Sequence, residues 1–139
     1  MGTTRGELVE SSRTQVARRD GKGYDMRGQE AYEQIAVVDY CEFKHIPMFH
    51  VPNGGSRNKR EAKNLKRQGV KAGVPDLFFP VAKRGYHGLF IEMKSEKGRP
   101  TDKQREWLDL LNASGYKAVV CHGFDEAKER IDWYVGGED

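Results

Sequence analysis

The run Gly88-Leu89-Phe90-Ile91-Glu92-Met93-Lys94 constrains this chain more than any other. It is short, apolar, rich in β-branched and aromatic residues and opened by glycine, which is the pattern of a buried strand. Alternate residues of a strand share a face, so Phe90, Glu92 and Lys94 lie on one side while Met93 turns into a packed layer on the other. A fold that buries this strand must therefore accommodate a carboxylate and an ammonium at its end. Glu42-Phe43-Lys44 and Glu126-Ala127-Lys128 repeat the E-x-K spacing. Both fall in helical patterns, where residues i and i+2 diverge.

Hydrophobic periodicity predicts the remaining elements. Ala31, Ile35 and Val38, with Val37 and Cys41, predict an amphipathic helix over 28–44. A strand over 46–51 follows, stopped by the turn Pro52-Asn53-Gly54-Gly55. The stretch 58–68, ended by Gly69, reads as a second helix with Ala62 and Leu65 inward. Strands at 76–81 and 89–94 flank the turn 83–88. Thr101 with Gln104 three residues on has the form of a capping box. It opens a helix with Trp107, Leu108 and Leu111 as its core stripe, closed by Gly115. A strand at 117–121 and a helix at 124–134 complete the order. This alternation predicts an α/β fold, a mixed central sheet flanked by helices. With 139 residues there is room for one such core and none for a separate recognition domain. Residues 1–27 carry no sustained apolar period and read as an N-terminal arm, leaving 28–139 as the domain.

Apolar residues at 37% and charged residues at 32% give an ordinary soluble balance, and no run is long enough to span a bilayer. Nor is there a signal-peptide apolar region, so the expectation is a cytoplasmic protein without a membrane partner. Cys41 and Cys121 match no metal spacing or disulfide framework and read as buried thiols. His45, His50, His87 and His122 are scattered and read as ordinary surface or core residues. The net charge of +3 is modest, but its distribution is not. Arg57, Lys59, Arg60, Lys63, Lys66, Arg67 and Lys71 face a single acid, Glu61, within one short segment. Such concentration is the footprint of a phosphate-backbone binder; the alternative is a solvated helix face.

Fifteen residues separate Asp76 from the Glu92-Met93-Lys94 end. Phosphodiester hydrolysis needs an in-line nucleophile, neutralisation of charge on the non-bridging oxygens and help for the leaving oxygen, and a divalent ion contributes to all three. Mg²⁺ uses one or two protein carboxylates and keeps several waters. Asp76 and Glu92 supply that count, and Lys94 is placed to polarise the attacking water and stabilise developing charge. The alternative is a surface aspartate beside a cross-strand Glu/Lys pair.

The flanking residues discriminate. Gly69-Val70-Lys71-Ala72-Gly73-Val74-Pro75-Asp76-Leu77, Gly88 to Lys94, and Gly98-Arg99-Pro100-Thr101-Asp102-Lys103-Gln104 closely resemble the VRR-NUC family, the virus-type replication-repair branch of the PD-(D/E)xK nuclease superfamily. The resemblance extends to Pro52-Asn53-Gly54-Gly55 and Gly115-Tyr116-Lys117-Ala118, covering residues 28–135 by order of elements. It implies a restriction-endonuclease-like core, a Mg²⁺ or Mn²⁺ cofactor and DNA cleavage. Short stand-alone members of phage and bacterial origin look like this chain and are associated with homodimers acting on branched DNA such as four-way (Holliday) junctions. A bacterial or phage-infected cytoplasm is the setting this implies.

Carried over by residue, the resemblance assigns Asp76, Glu92 and the Met93 backbone carbonyl to the metal, Lys94 to catalysis, and Gln104 to the glutamine after the hairpin. The glutamate on the first helix is Glu30 or Glu33, with Glu30 preferred because it aligns with the start of the family's helix. Met93 replaces the commoner leucine, a volume-conserving change. Asn53 and its glycines read either as a plain turn or as a loop approaching the DNA backbone, beside Arg57, Lys59, Arg60, Lys63, Lys66, Arg67 and Lys71. Trp107 and Tyr116 read as core rather than base-stacking residues. A non-catalytic nucleic-acid-binding module and a flap- or end-directed nuclease are the rival functions.

Overall fold

The computed structural model describes residues 26–52 and 58–138. The predicted arm over 1–27 lies almost wholly outside the described residues, as do Asn53 and Arg57. Helix α1 spans Met26–Lys44, strand β1 Phe49–His50, helix α2 Lys59–Arg67, strand β2 Leu77–Phe79 and strand β3 Leu89–Lys94. Helix α3 spans Asp102–Ala113, strand β4 Lys117–His122 and helix α4 Phe124–Val135. The four strands form one sheet in the order β1-β2-β3-β4. The first three are antiparallel, whereas β4 joins β3 in parallel. The β3–α3–β4 connection is thus a crossover with its helix on one face of the sheet. This is the mixed α/β architecture that the order of elements predicts.

The β3 register divides the sheet into two chemically distinct faces. Leu89, Ile91 and Met93 point to one side and are essentially fully buried with Val37 and Cys41 of α1 and Ala127, Ile131 and Tyr134 of α4. Truncating a side chain in such a core to alanine costs about 2–5 kcal/mol. Phe90, Glu92 and Lys94 point to the other side, toward α3. Cys41 and Cys121 are buried free thiols, each pushed up to about 12 chiefly by burial.

Several local expectations are corrected. The strands expected at 46–51 and 76–81 shrink to Phe49–His50 and Leu77–Phe79. Each is bracketed by prolines, Pro47 and Pro52 around β1 and Pro75 and Pro80 around β2. Proline has no N–H to give a ladder, so pairing stops there. On α1 the fold buries Tyr32, Val37 and Cys41, and leaves Ile35 53% exposed. Helix α2 buries no residue at all: Ala62 is exposed and Leu65 half-buried. Among the described residues α2 packs on no other helix or strand. It is held instead by the Asn58 side chain, which accepts from Glu61 N–H at 2.8 Å, and by the turn that follows it.

On α3, Leu108 alone is buried, while Trp107 and Leu111 are half-buried. The helix is seated on β4, where Asn112 donates to the Ala118 carbonyl at 3.0 Å and accepts from its N–H at 2.9 Å. That seating leaves the Trp107 flank open. Tyr116 is half-buried among Phe78, Phe90 and His87 rings, a packing role as expected. No helix among the described residues is long and apolar enough to cross a membrane.

Candidate active site

Antiparallel pairing of Leu77 with Ile91 puts the preceding residue, Asp76, opposite Glu92 on the face away from the helical core. The approach to Asp76 requires glycine. Gly73 has φ +93°, and a Cβ there would lie 2.7 Å from the Lys103 carbonyl carbon, so this segment presses directly on the first turn of α3. Pro75 is fully buried. Asp76 is then fixed at both ends. Its carbonyl accepts from Val51 N–H at 2.7 Å and lies 2.9 Å from His50 Nδ1. Its carboxylate Oδ2 accepts from Met93 N–H at 2.8 Å.

Glu92 is only 2% exposed. Its Oε2 accepts from Gln104 Nε2 at 3.1 Å and lies 3.3 Å from Lys94 Nζ. Its Oε1 is buried with no hydrogen-bond partner among the described residues. Burial and, after it, the neighbouring Asp76 carboxylate push Glu92 up to about 8, against the opposing pull of Lys94. Glu92 therefore favours its protonated form unless a cation compensates its charge.

Gln104 is committed at both ends of its amide. Its Oε1 accepts from Thr101 N–H at 2.8 Å, Thr101 Oγ1 accepts from Gln104 N–H at 3.2 Å, and its Nε2 holds Glu92. The capping box that starts α3 therefore also orients the buried glutamate.

The two first-helix acids separate by environment. Glu30 is raised above its ordinary value by burial, then pulled down by Lys94 and pushed up by Asp76, so it belongs to the same electrostatic cluster. Glu33 is used elsewhere: it accepts from Phe124 N–H at 2.7 Å and from Gln29 Nε2 at 2.9 Å. Its carboxylate thus sits on the positive end of α4, whose N-cap is Gly123 with no capping side chain. The sequence reading missed this role. The signal was the absence of any Ser, Thr, Asp or Asn just before Phe124, which required a capping acceptor from another element.

The structure thus brings together Glu30, Asp76, Glu92, Lys94 and Gln104. Met93 meets Asp76 through its backbone N–H. Lys59, Arg60, Lys63, Lys66 and Arg67 are exposed along α2, and Lys71 is exposed in the segment leading to Gly73. None of them belongs to the carboxylate cluster, and α2 contacts no other helix or strand among the described residues.

Among the described residues no three His, Cys, Asp or Glu side chains form a preassembled ligand set. The Asp76–Glu92 pair nonetheless fits a hard divalent cation. It offers two carboxylates, the number Mg²⁺ uses alongside waters, and one of its buried oxygens is unsatisfied.

Comparison with known proteins identifies the family and the fold that carry these residues. The VRR-NUC domain matches residues 29–125, the span containing all five clustered residues. A solved structure described as a VRR_NUC domain protein is 33% identical, with a TM-score of 0.70 over 85% of this chain and 93% of that chain. The Fanconi-associated nuclease 1 homolog of Arabidopsis thaliana is 42% identical over 53 residues, which cover 36% of this chain and 6% of that protein. The chain therefore matches only a small part of that relative's length.

Proposed function

Because the chain belongs to the VRR-NUC family of nuclease domains, we propose that it hydrolyses DNA phosphodiester bonds with a divalent cation, Mg²⁺ or Mn²⁺, held by Asp76, Glu92 and the Met93 backbone carbonyl. The observation that carries this reading is Glu92, a buried carboxylate with one oxygen unpartnered beside a second carboxylate. An uncompensated buried acid is costly, and a fold retains it where a cation completes it. When bound, the cation supplies Lewis-acid stabilisation of the phosphate and an acidified water.

The chain's own residues do the positioning. Gln104 holds one oxygen of Glu92 by its amide, leaving the other without a hydrogen-bond partner among the described residues. Met93 N–H fixes Asp76 in rotamer. Lys94, with only 12% of its side chain exposed, has its ammonium desolvated beside Glu92. There it orients the attacking water and stabilises the negative charge that develops on the phosphate oxygens. Glu30 adds a further acid from α1 to the same electrostatic cluster as Lys94 and Asp76.

The substrate in this reading is branched DNA, four-way junctions above all, read by shape. One small domain has phosphate and shape contacts available, and these carry little sequence information. A four-way junction is two-fold symmetric and is resolved by paired cuts, so the acting form is a two-fold homodimer with one site per subunit. The test is a panel of labelled duplex, flap, fork and four-way-junction DNAs with Mg²⁺, with Mn²⁺ and with chelator, run beside sedimentation equilibrium. Metal-dependent paired cuts in the junction by a dimer are expected. Binding without cutting in either metal would defeat the nuclease reading, and single nicks by a monomer would defeat the dimer.

A further inference from the structure

Beside the carboxylate cluster, but separate from it, a cleft of about 460 Å³ opens between the segment after α2 and the outer flank of α3. That volume falls within the rough 300–1,000 Å³ range of small-molecule clefts. Its apolar wall is Trp107 with Val70 and Ala72. Around these stand Lys66, Arg67, Lys71 and Lys103, opposed by the single acid Glu106. The half-buried Trp107 is the residue that the helix pattern assigns to the core. Lys103 and Trp107 are four residues apart on α3 and share a face, so a cation and the indole line the cleft one helical turn apart.

We infer that this cleft takes one unpaired nucleotide of a DNA strand, its base against the Trp107 indole and its phosphate among Lys71, Lys103 and the end of α2. This rests on the nuclease reading and deepens it. Three observations favour the occupant. An aromatic face flanked by aliphatic side chains and rimmed by cations is the combination that binds single-stranded nucleic acid, by stacking and by backbone charge. The charge balance, four cations to one acid, selects a polyanion over a neutral ligand. Both walls also run directly into the active cluster: Ala72 continues through Gly73 to Asp76, and Lys103 precedes Gln104, which holds Glu92. A nucleotide seated here therefore lies next to the strand being cut. A continuous duplex keeps its bases stacked and cannot fill the cleft, so the cleft contributes only where a strand is unpaired, as at a branch point or an end.

Trp107 and Trp133 are the two tryptophans of the chain, so Trp133→Phe leaves Trp107 as the sole indole reporter. In chelator, where no strand is cut, an eight-residue oligothymidylate should quench this emission saturably, and a blunt duplex of equal charge should not. Trp107→Ala should weaken binding of the labelled oligothymidylate, read by anisotropy, about five- to a hundred-fold. Trp107→Phe, which keeps a stacking face and guards against misfolding, should restore most of it. Lys71→Ala with Lys103→Ala should weaken both the quench and the affinity. Emission that stays constant while anisotropy saturates would overturn the inference. So would quenching by thymidine 5′-monophosphate with an affinity equal to that of the oligonucleotide, since that is a small-molecule site. Loss of the quench in a chain that still cuts DNA with Mg²⁺ removes this subsite and leaves the nuclease reading intact. A normal quench in a chain that cuts no DNA does the reverse.

Discussion

Replacing Glu92 by glutamine should stabilise the fold in chelator while destroying the activity proposed for it. Glu92 is 2% exposed and is raised from the ordinary 4.5 to about 8, first by burial and then by Asp76. A carboxyl whose folded value is raised contributes stability in its protonated form, fully present below the unfolded value and lost as pH rises through the folded one. At about 1.4 kcal/mol per pH unit, wild type loses on the order of 3 kcal/mol between pH 4.5 and pH 7, and about 5 kcal/mol once above pH 9. Glutamine has nothing to ionise. Its amide oxygen can accept from Gln104 and Lys94 as Glu92 Oε2 does, and its amide nitrogen can donate to Asp76, mimicking the protonated acid. Urea unfolding in chelator across pH 4 to 9 should therefore show equal stability near pH 4 and a growing advantage for Glu92→Gln up to pH 8. Added Mg²⁺ should narrow the gap by stabilising wild type alone, by mass action. A pH-independent difference, or a variant less stable than wild type at pH 8, would refute the reasoning.

Lys94→Ala should retain Mn²⁺ binding by calorimetry yet cut about 10²–10³-fold more slowly in single turnover, the usual cost of losing one preorganised charge-stabilising donor. Replacing Lys59, Lys63 and Lys66 together by alanine should weaken binding to all DNA sequences alike and reduce the log–log salt slope by up to about three, one for each phosphate no longer neutralised. An unchanged slope would make α2 a solvated surface. Gly73→Ala should destabilise by more than about 1 kcal/mol in urea unfolding, because it combines a positive φ with a Cβ 2.7 Å from backbone; a neutral result would show that the 69–76 segment can move off α3.

The order of elements was legible because periodicity is a local property. β3, the capping box and α3 could be read within a few residues each, and the E-x-K choice followed from strand alternation alone. What the sequence could not supply was the pairing partner. Whether Val37 or Ile35 faces inward depends on where α4 lies, and Ala62 and Leu65 look inward only if something covers α2. The strand lengths were readable in principle, since the four bracketing prolines are in plain view. The split between Glu30 and Glu33 was not, because it depends on Phe124, ninety-one residues from Glu33. Trp107 was assigned inward by its spacing, and only the seating of α3 on β4 through Asn112 leaves its flank open.

Whether Asp76 and Glu92 act as a divalent-metal pair for phosphodiester cleavage is decided by the Mg²⁺-dependent cleavage rate of a four-way junction at saturating DNA, measured for wild type and Asp76→Asn side by side. Metal-dependent cutting by wild type is expected, with a loss of at least about a thousand-fold in the variant while folding and DNA binding are retained. Wild-type rates in Asp76→Asn, or wild-type cutting that persists in chelator, would contradict the metal-pair assignment.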